Sequence, residues 1–155
     1  MAKEIERKFL PSSDDWRGLV EGERLEQGYL AANADCAIRV RIAGKAARLG
    51  IKGKTSGATR SEFEYAVPLD DARAMLDELA KKPLIDKTRY KIPFAGKIWE
   101  VDEFHGENQG LVIIEVELQD EGEAVQKPHW VGQEVTGNAA YYNASLVSKP
   151  FSGWK

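Results

Sequence analysis

Charged and apolar residues alternate along this chain in a way that points to chemistry. Glu4, Glu6 and Lys8 are interleaved with Ile5, Arg7 and Phe9. Arg39 and Arg41 are interleaved with Ile38, Val40 and Ile42. The pattern recurs at Arg60, Glu62 and Glu64, at Lys87, Arg89 and Lys91, at Glu100 and Asp102, and at Glu115 and Glu117. Side chains two apart on a strand point the same way, so each set shares one face. Like charges at that spacing repel unless something of opposite sign lies between them. Carboxylate pairs invite hard divalent cations such as Mg2+ and Mn2+, which prefer oxygen ligands. Paired cations invite a multiply charged anion, with arginine offering bidentate forks to phosphate oxygens.

Two arrangements of strands fit this alternation. One is an ordinary antiparallel sheet whose charged face is solvated. The other is a closed barrel of eight strands, with room inside for packed side chains or one small ligand. A solvated face normally mixes Thr, Ser, Gln and Lys, whereas this one is almost entirely Glu, Arg and Lys, which favours the barrel. The expected lining holds eight acids (Glu4, Glu6, Glu62, Glu64, Glu100, Asp102, Glu115, Glu117). It also holds eight bases (Lys8, Arg39, Arg41, Lys52, Arg60, Lys87, Arg89, Lys91). Burying such charges dry costs several kcal/mol per ion, so the interior is expected to be wet and compensated by ligands. The expected occupant is a metal-bound polyphosphate.

The strands that must position these residues read as Lys3–Leu10, Glu23–Ala32, Ala37–Ile42, Ala46–Lys52, Arg60–Val67, Leu84–Pro93, Lys97–Phe104 and Leu111–Leu118. Ala43-Gly44-Lys45 and Phe94-Ala95-Gly96 read as hairpin loops. Asp70 or Asp71 is expected to cap a helix running to about Lys81 and ended by Pro83. Ser13 is expected to cap a short helix through Trp16 and Leu19, and Asn138 one from Ala139 to Val147. The spacing therefore predicts an α+β chain forming an eight-stranded antiparallel closed β-barrel, a tunnel with a charged interior and a few flanking helices. A single domain over 1–155 is expected.

Composition narrows the function classes. The chain has 155 residues, 43% hydrophobic and 30% charged, which excludes a disordered or collagen-like chain. Its net charge of −3 argues against broad electrostatic binding of nucleic acid. The lone Cys36 cannot close an internal disulfide and reads as a small buried residue. No apolar run approaches the ~20 residues of a membrane helix, and the start Met1-Ala2-Lys3-Glu4 has no leader character, so no membrane role and a cytoplasmic location are expected. Gly53-Lys54-Thr55 is rejected as a phosphate loop, because the earlier glycine would fall at Arg48. His105 and His129 lack metal-ligand spacing.

Glu4-Ile5-Glu6-Arg7-Lys8 resembles the N-terminal Glu-x-Glu-x-Lys signature of the CYTH superfamily, the triphosphate tunnel metalloenzymes. Arg39-x-Arg41, Lys52, Arg60-x-Glu62-x-Glu64, Lys87-x-Arg89, Asp102 and Glu115-x-Glu117 follow in order. The tail from Pro128 to Thr136, with Tyr141-Tyr142-Asn143, is similar to the ending of small bacterial members. The resemblance implies a metal-dependent triphosphatase, with inorganic tripolyphosphate as the favoured small-molecule substrate. Class IV adenylate cyclase and nucleoside or thiamine triphosphatase are the enzymatic alternatives. The His-Phe that precedes the signature in cyclases is absent here, where only Met1-Ala2-Lys3 stand before Glu4. A noncatalytic polyphosphate- or nucleotide-binding module is the alternative from another class.

Roles follow residue by residue from the same resemblance. Lys8, Arg39, Arg41, Lys52, Arg60, Lys87 and Arg89 are expected to hold the phosphate chain. Glu4, Glu6, Glu115 and Glu117, with Asp102, are expected to bind Mg2+ or Mn2+, two ions per site. Glu62 and Glu64 are expected behind them, as further ligands or as partners of the arginines. Lys87 is expected to steady the leaving or attacking oxygen, with Tyr29 as its hydrogen-bond partner. Glu100 and Lys91 are read as rim charges. The last helix is read as packing, with a lid over one tunnel end as the other reading. A homodimer is suggested by the family alone.

Overall fold

The alternation becomes strands wherever it was read, in a computed structural model that describes residues 3–33 and 35–154. Met1 and Ala2, which open the start read as lacking leader character, lie outside the described residues, as do Ala34 and Lys155. The strands are β1 (Lys3–Pro11), β2 (Gly22–Ala32), β3 (Cys36–Ala43), β4 (Ala46–Gly53), β5 (Thr59–Ala66), β6 (Ile85–Phe94), β7 (Lys97–Phe104), β8 (Val112–Glu117) and β9 (Val131–Glu134). All pair antiparallel, in the order β5-β4-β3-β2-β6-β7-β8-β1-β9. A further β5–β1 pairing, Lys3 to Ser61 through Ile5 to Thr59, closes eight of them into the barrel. The outer edge of β1 is shared: its start pairs with β5, and Phe9 and Pro11 pair with β9. The handover falls beside Glu6 and Lys8, where the wall is held by Glu6 N–H to the Ala58 carbonyl (3.1 Å) and Lys8 N–H to Thr136 Oγ1 (2.9 Å).

The closed barrel is inside-out relative to an ordinary globular domain. Its apolar core lies on the outer faces of the strands. Phe9, Trp99, Ile114 and Val116 from β1, β7 and β8 pack with Trp16 and Trp130. Val40 and Ala47 from β3 and β4 pack under Ala72 and Leu76 of helix α1 (Leu69–Glu78). Ile85, Phe104 and Ile113 receive Leu146 and Val147 from helix α2 (Asn143–Ser148). This burial frees the inner faces for charge. The β6–β7 hairpin turns through Ala95 (φ 50°) and Gly96 (φ 79°), the two positive φ values that a tight two-residue turn needs.

Three helix expectations are corrected. Ser13–Leu19 forms turns, with a single Arg17 N–H to Asp14 carbonyl bond, and Gly18 takes a positive φ that ends any helical run. Helix α1 starts on Pro68 without a side-chain cap, and Asp70 and Asp71 sit in its first turn, where they complement the helix dipole. The last helix is split into a short 3-10 turn (Ala139–Tyr141) and α2, because Tyr142 is extended (φ −73°, ψ 137°). Asn138 does cap the first piece, accepting from Ala140 N–H at 3.1 Å. Strand β9 was not expected. Among the described residues no helix is long and apolar enough to cross a membrane.

Candidate active site

A cavity of about 580 Å3 runs through the barrel, within the range of small-molecule sites. Its charges are sorted by wall. Glu4, Glu6 and Lys8 come from β1, and Glu115 from the adjoining β8. Arg39 and Arg41 of β3 and Lys87 and Arg89 of β6 flank β2 on the other side of the barrel order. Lys52, Arg60, Glu62 and Glu64 from β4 and β5 complete the ring. Tyr29 of β2 also lines it.

On the acidic wall Glu6 and Glu115 share Lys8, while Glu4 has Lys52 and Arg60 to itself on that wall. Burial and the neighbouring Glu115 push Glu6 up to about 8. Burial raises Glu115, but Lys8 at 3.1 Å, a hydrogen bond with Glu6 and the charges of Arg89 and Lys87 together hold it well below the usual carboxylate range. Glu4 is also held low against its burial by Lys52 at 3.2 Å and Arg60 at 3.2 Å. Two carboxylates that ionise at one another's expense offer a natural seat for a divalent cation in place of the proton. Among the described residues no group of three or more His, Cys, Asp or Glu is already gathered as a metal cage. The carboxylate oxygens of Glu4, Glu6 and Glu115 at the cavity are donors of the kind that a hard divalent cation takes.

The basic wall has the opposite frustration. Burial and the nearby Arg39 and Arg89 push Arg41 down to about 10. Burial, reinforced by Arg89 and Arg41 and only partly countered by Asp102, pushes Lys87 down to about 7. Arg39 is 5% exposed, and its buried Nε has no hydrogen-bond partner among the described residues. A desolvated guanidinium N–H without an acceptor is a vacancy for an anion oxygen.

The expected site residues do not all stand at the cavity surface. Asp102 is fully buried and does not line the cavity. It accepts from Arg89 Nε at 2.7 Å and Nη2 at 2.8 Å, and pairs with Lys87 at 2.8 Å. Its oxygens are taken by cations, so it anchors Arg89 and Lys87 instead of facing a metal. Glu117 pairs with Glu6 in register but is exposed at the end of β8, outside the cavity lining. Glu62 pairs with Lys52 (3.2 Å) and Glu64 with Arg39 (3.3 Å). Glu100 does line the cavity, 3.4 Å from Arg89, where burial raises its carboxyl; Lys91 is exposed. Lys87 Nζ does not bond Tyr29. It donates to Asn143 Oδ1 at 2.9 Å and pairs with Asp102.

Two residues of this network were missed. Gln27 of β2 is fully buried, accepts from Arg41 Nε at 3.0 Å and donates to Asn143 Oδ1 at 3.1 Å. Its place two residues before Tyr29 was the available signal, since both share a strand face. Asn143, the first residue of α2, had no such signal. Cys36 lines the cavity mouth, half-buried. The histidines lie elsewhere, His105 on Thr88 and His129 on Asp15.

A closed antiparallel barrel whose lining gathers carboxylates on one side and guanidinium and ammonium groups on the other defines a charged tunnel protein. The CYTH domain model matches residues 2–151, and the chain belongs to that family. An inorganic triphosphatase of Acetivibrio thermocellus is 46% identical over 155 residues, covering 100% of this chain and 99% of that protein. One of Nitrosomonas europaea is 34% identical over 149 residues, covering 93% and 96%. The crystal structure of an inorganic triphosphatase superposes with a TM-score of 0.67 at 30% identity, covering 95% of each chain.

Proposed function

We propose that this protein hydrolyses inorganic tripolyphosphate to pyrophosphate and phosphate with the help of a divalent cation. The observation that carries the reading is the pair of opposed frustrations. Burial and Glu115 on the same wall raise Glu6, while burial with Arg39 and Arg89 lowers Arg41, and burial with Arg89 and Arg41 lowers Lys87. A metal-bound polyanion relieves both at once. The triphosphatase relatives support the same substrate class.

In this reading Arg39, with its unpartnered Nε, and Arg41, Arg89, Lys8, Lys52 and Arg60 hold the phosphate chain. Glu4, Glu6 and Glu115 would hold the cations, with Glu117 next to Glu6 in strand register. Mg2+ or Mn2+ held there, two ions per turnover, would supply Lewis-acid neutralisation of the phosphate charge and a more acidic water. In the hydrolysis a water oxygen bonds to the terminal phosphorus, the electron pair of the broken P–O bond leaves on pyrophosphate, and the water's proton passes to solvent. Lys87 stands over the developing oxyanion, with the Tyr29 hydroxyl on the same cavity wall. Positioning and charge stabilisation then supply most of the rate, as in phosphoryl transfer generally. The test is phosphate release from tripolyphosphate, ATP and thiamine triphosphate, each with Mg2+ or Mn2+. Preference for tripolyphosphate is expected. Cyclic AMP and pyrophosphate from ATP would make it a cyclase, and tight binding without release would make it a binding module.

A further inference from the structure

The polar chain under the basic wall assigns its own hydrogen-bond directions. Lysine and arginine only donate, so the Asn143 atom 2.9 Å from Lys87 Nζ must be its oxygen. By the same rule the Gln27 atom 3.0 Å from Arg41 Nε is its oxygen, which turns the Gln27 amide nitrogen toward Asn143 Oδ1 at 3.1 Å. Asn143 Oδ1 therefore receives two donors, from β6 and β2, and is tied through Gln27 to Arg41. Its side-chain nitrogen is then turned away from both, and it makes no hydrogen bond within the described protein, although the residue lines the cavity. Asn143 begins α2, whose Leu146 is fully buried against the outer core one turn later, so the amide is fixed in place by packing.

We infer that Asn143 is a specificity and positioning residue of the site: its Oδ1 sets the direction of the Lys87 ammonium, and its Nδ2 donates to an oxygen of the bound phosphate chain. This deepens the tripolyphosphatase reading and rests on it. Lys87 Nζ is also paired with Asp102 at 2.8 Å, below the cavity surface, and lies 5.5 Å from the centre of the Phe104 ring; both contacts draw the ammonium into the wall. Asn143 supplies the opposing acceptor. One amide thereby holds a cation at its working position and presents a neutral donor beside it, where a further cation would add to the repulsion already acting on Lys87.

Asn143→Ala and Asn143→Asp separate the two contacts. The aspartate keeps the acceptor for Lys87 and Gln27 but replaces the donor with an anion facing phosphate. Hydrogen bonds to charged groups carry enough free energy that Asn143→Ala is expected to lower kcat roughly 10- to 100-fold. Asn143→Asp is expected to retain kcat better than the alanine variant while raising KM more than tenfold. Gln27→Leu is expected to lower kcat in the same direction by less, and to add little in combination with Asn143→Ala. Tripolyphosphate binding measured by calorimetry with the metal omitted is expected to weaken in both Asn143 variants. Kinetic constants within twofold of the wild type in Asn143→Ala, or equal kcat losses in the alanine and aspartate variants, would overturn the assignment. A wild type that binds tripolyphosphate but releases no phosphate would count against the function proposed above. The calorimetric comparison then decides the Asn143 contact by itself: unchanged affinity overturns it and weakened affinity supports it.

Discussion

At the scale of single residues, the site is a set of charges held against their own preference. Glu6 and Glu115 share one wall, so removing the Glu6 charge should relieve the apo protein and disable the loaded one. Glu6→Gln is expected to cut metal-dependent phosphate release by at least 100-fold while circular dichroism and the unfolding midpoint stay at or above wild-type values. Arg39 makes the converse case. Its fork has one arm on Glu64 and an unpartnered Nε, so Arg39→Lys keeps the charge and loses the fork. A fall of roughly 10- to 100-fold in kcat/KM is expected, read from steady-state kinetics on tripolyphosphate. Lys87 carries a pH signature. Its folded value, about 7, lies below its ordinary 10.5, so between those limits the unfolded chain binds the proton and the folded chain does not. Stability from this group therefore rises with pH across that window, by up to about 1.4 kcal/mol per pH unit. Denaturant midpoints of the substrate-free protein from pH 6 to 10 should rise less steeply in Lys87→Met than in the wild type.

At the scale of elements, the strands were legible because a period of two survives any closure of the sheet. Parity also placed the charges on the correct face. It did not give depth along the barrel axis, and this is why Asp102 and Glu117, both read as metal ligands, stand away from the cavity, one beneath Arg89 and Lys87 and one at the rim. Depth comes from register, which hydrogen bonding sets only when the barrel closes. Strand β9 escaped notice because four residues carry no period; it is held by the Phe9 and Pro11 pairings and by the Arg7 fork on Glu134 at 2.8 and 2.9 Å. Asn143 was illegible for a topological reason, since its partners Lys87 and Gln27 lie 56 and 116 residues away. The role of α2 can be separated from that of α1 by two equally buried leucines. Leu76→Ala and Leu146→Ala should each cost about 2–5 kcal/mol of stability. Only Leu146→Ala should also lower kcat, because only α2 carries a residue of the cavity.

At the scale of the whole molecule, a net charge of −3 conceals 22 basic and 25 acidic residues, many of them sorted onto opposed walls. The outer faces carry the apolar core and so stabilise a barrel whose lining disfavours folding. In the proposed reaction a cation and a polyanion together compensate both walls, where either alone leaves one uncompensated. Turnover of inorganic tripolyphosphate by this tunnel can be read from a 31P NMR time course of tripolyphosphate with Mg2+. Pyrophosphate and phosphate are expected to appear in equal amounts as tripolyphosphate disappears, with the conversion stopped by a chelator and restored by added Mg2+. An unchanged tripolyphosphate spectrum in the presence of folded protein and Mg2+ or Mn2+ would contradict the account.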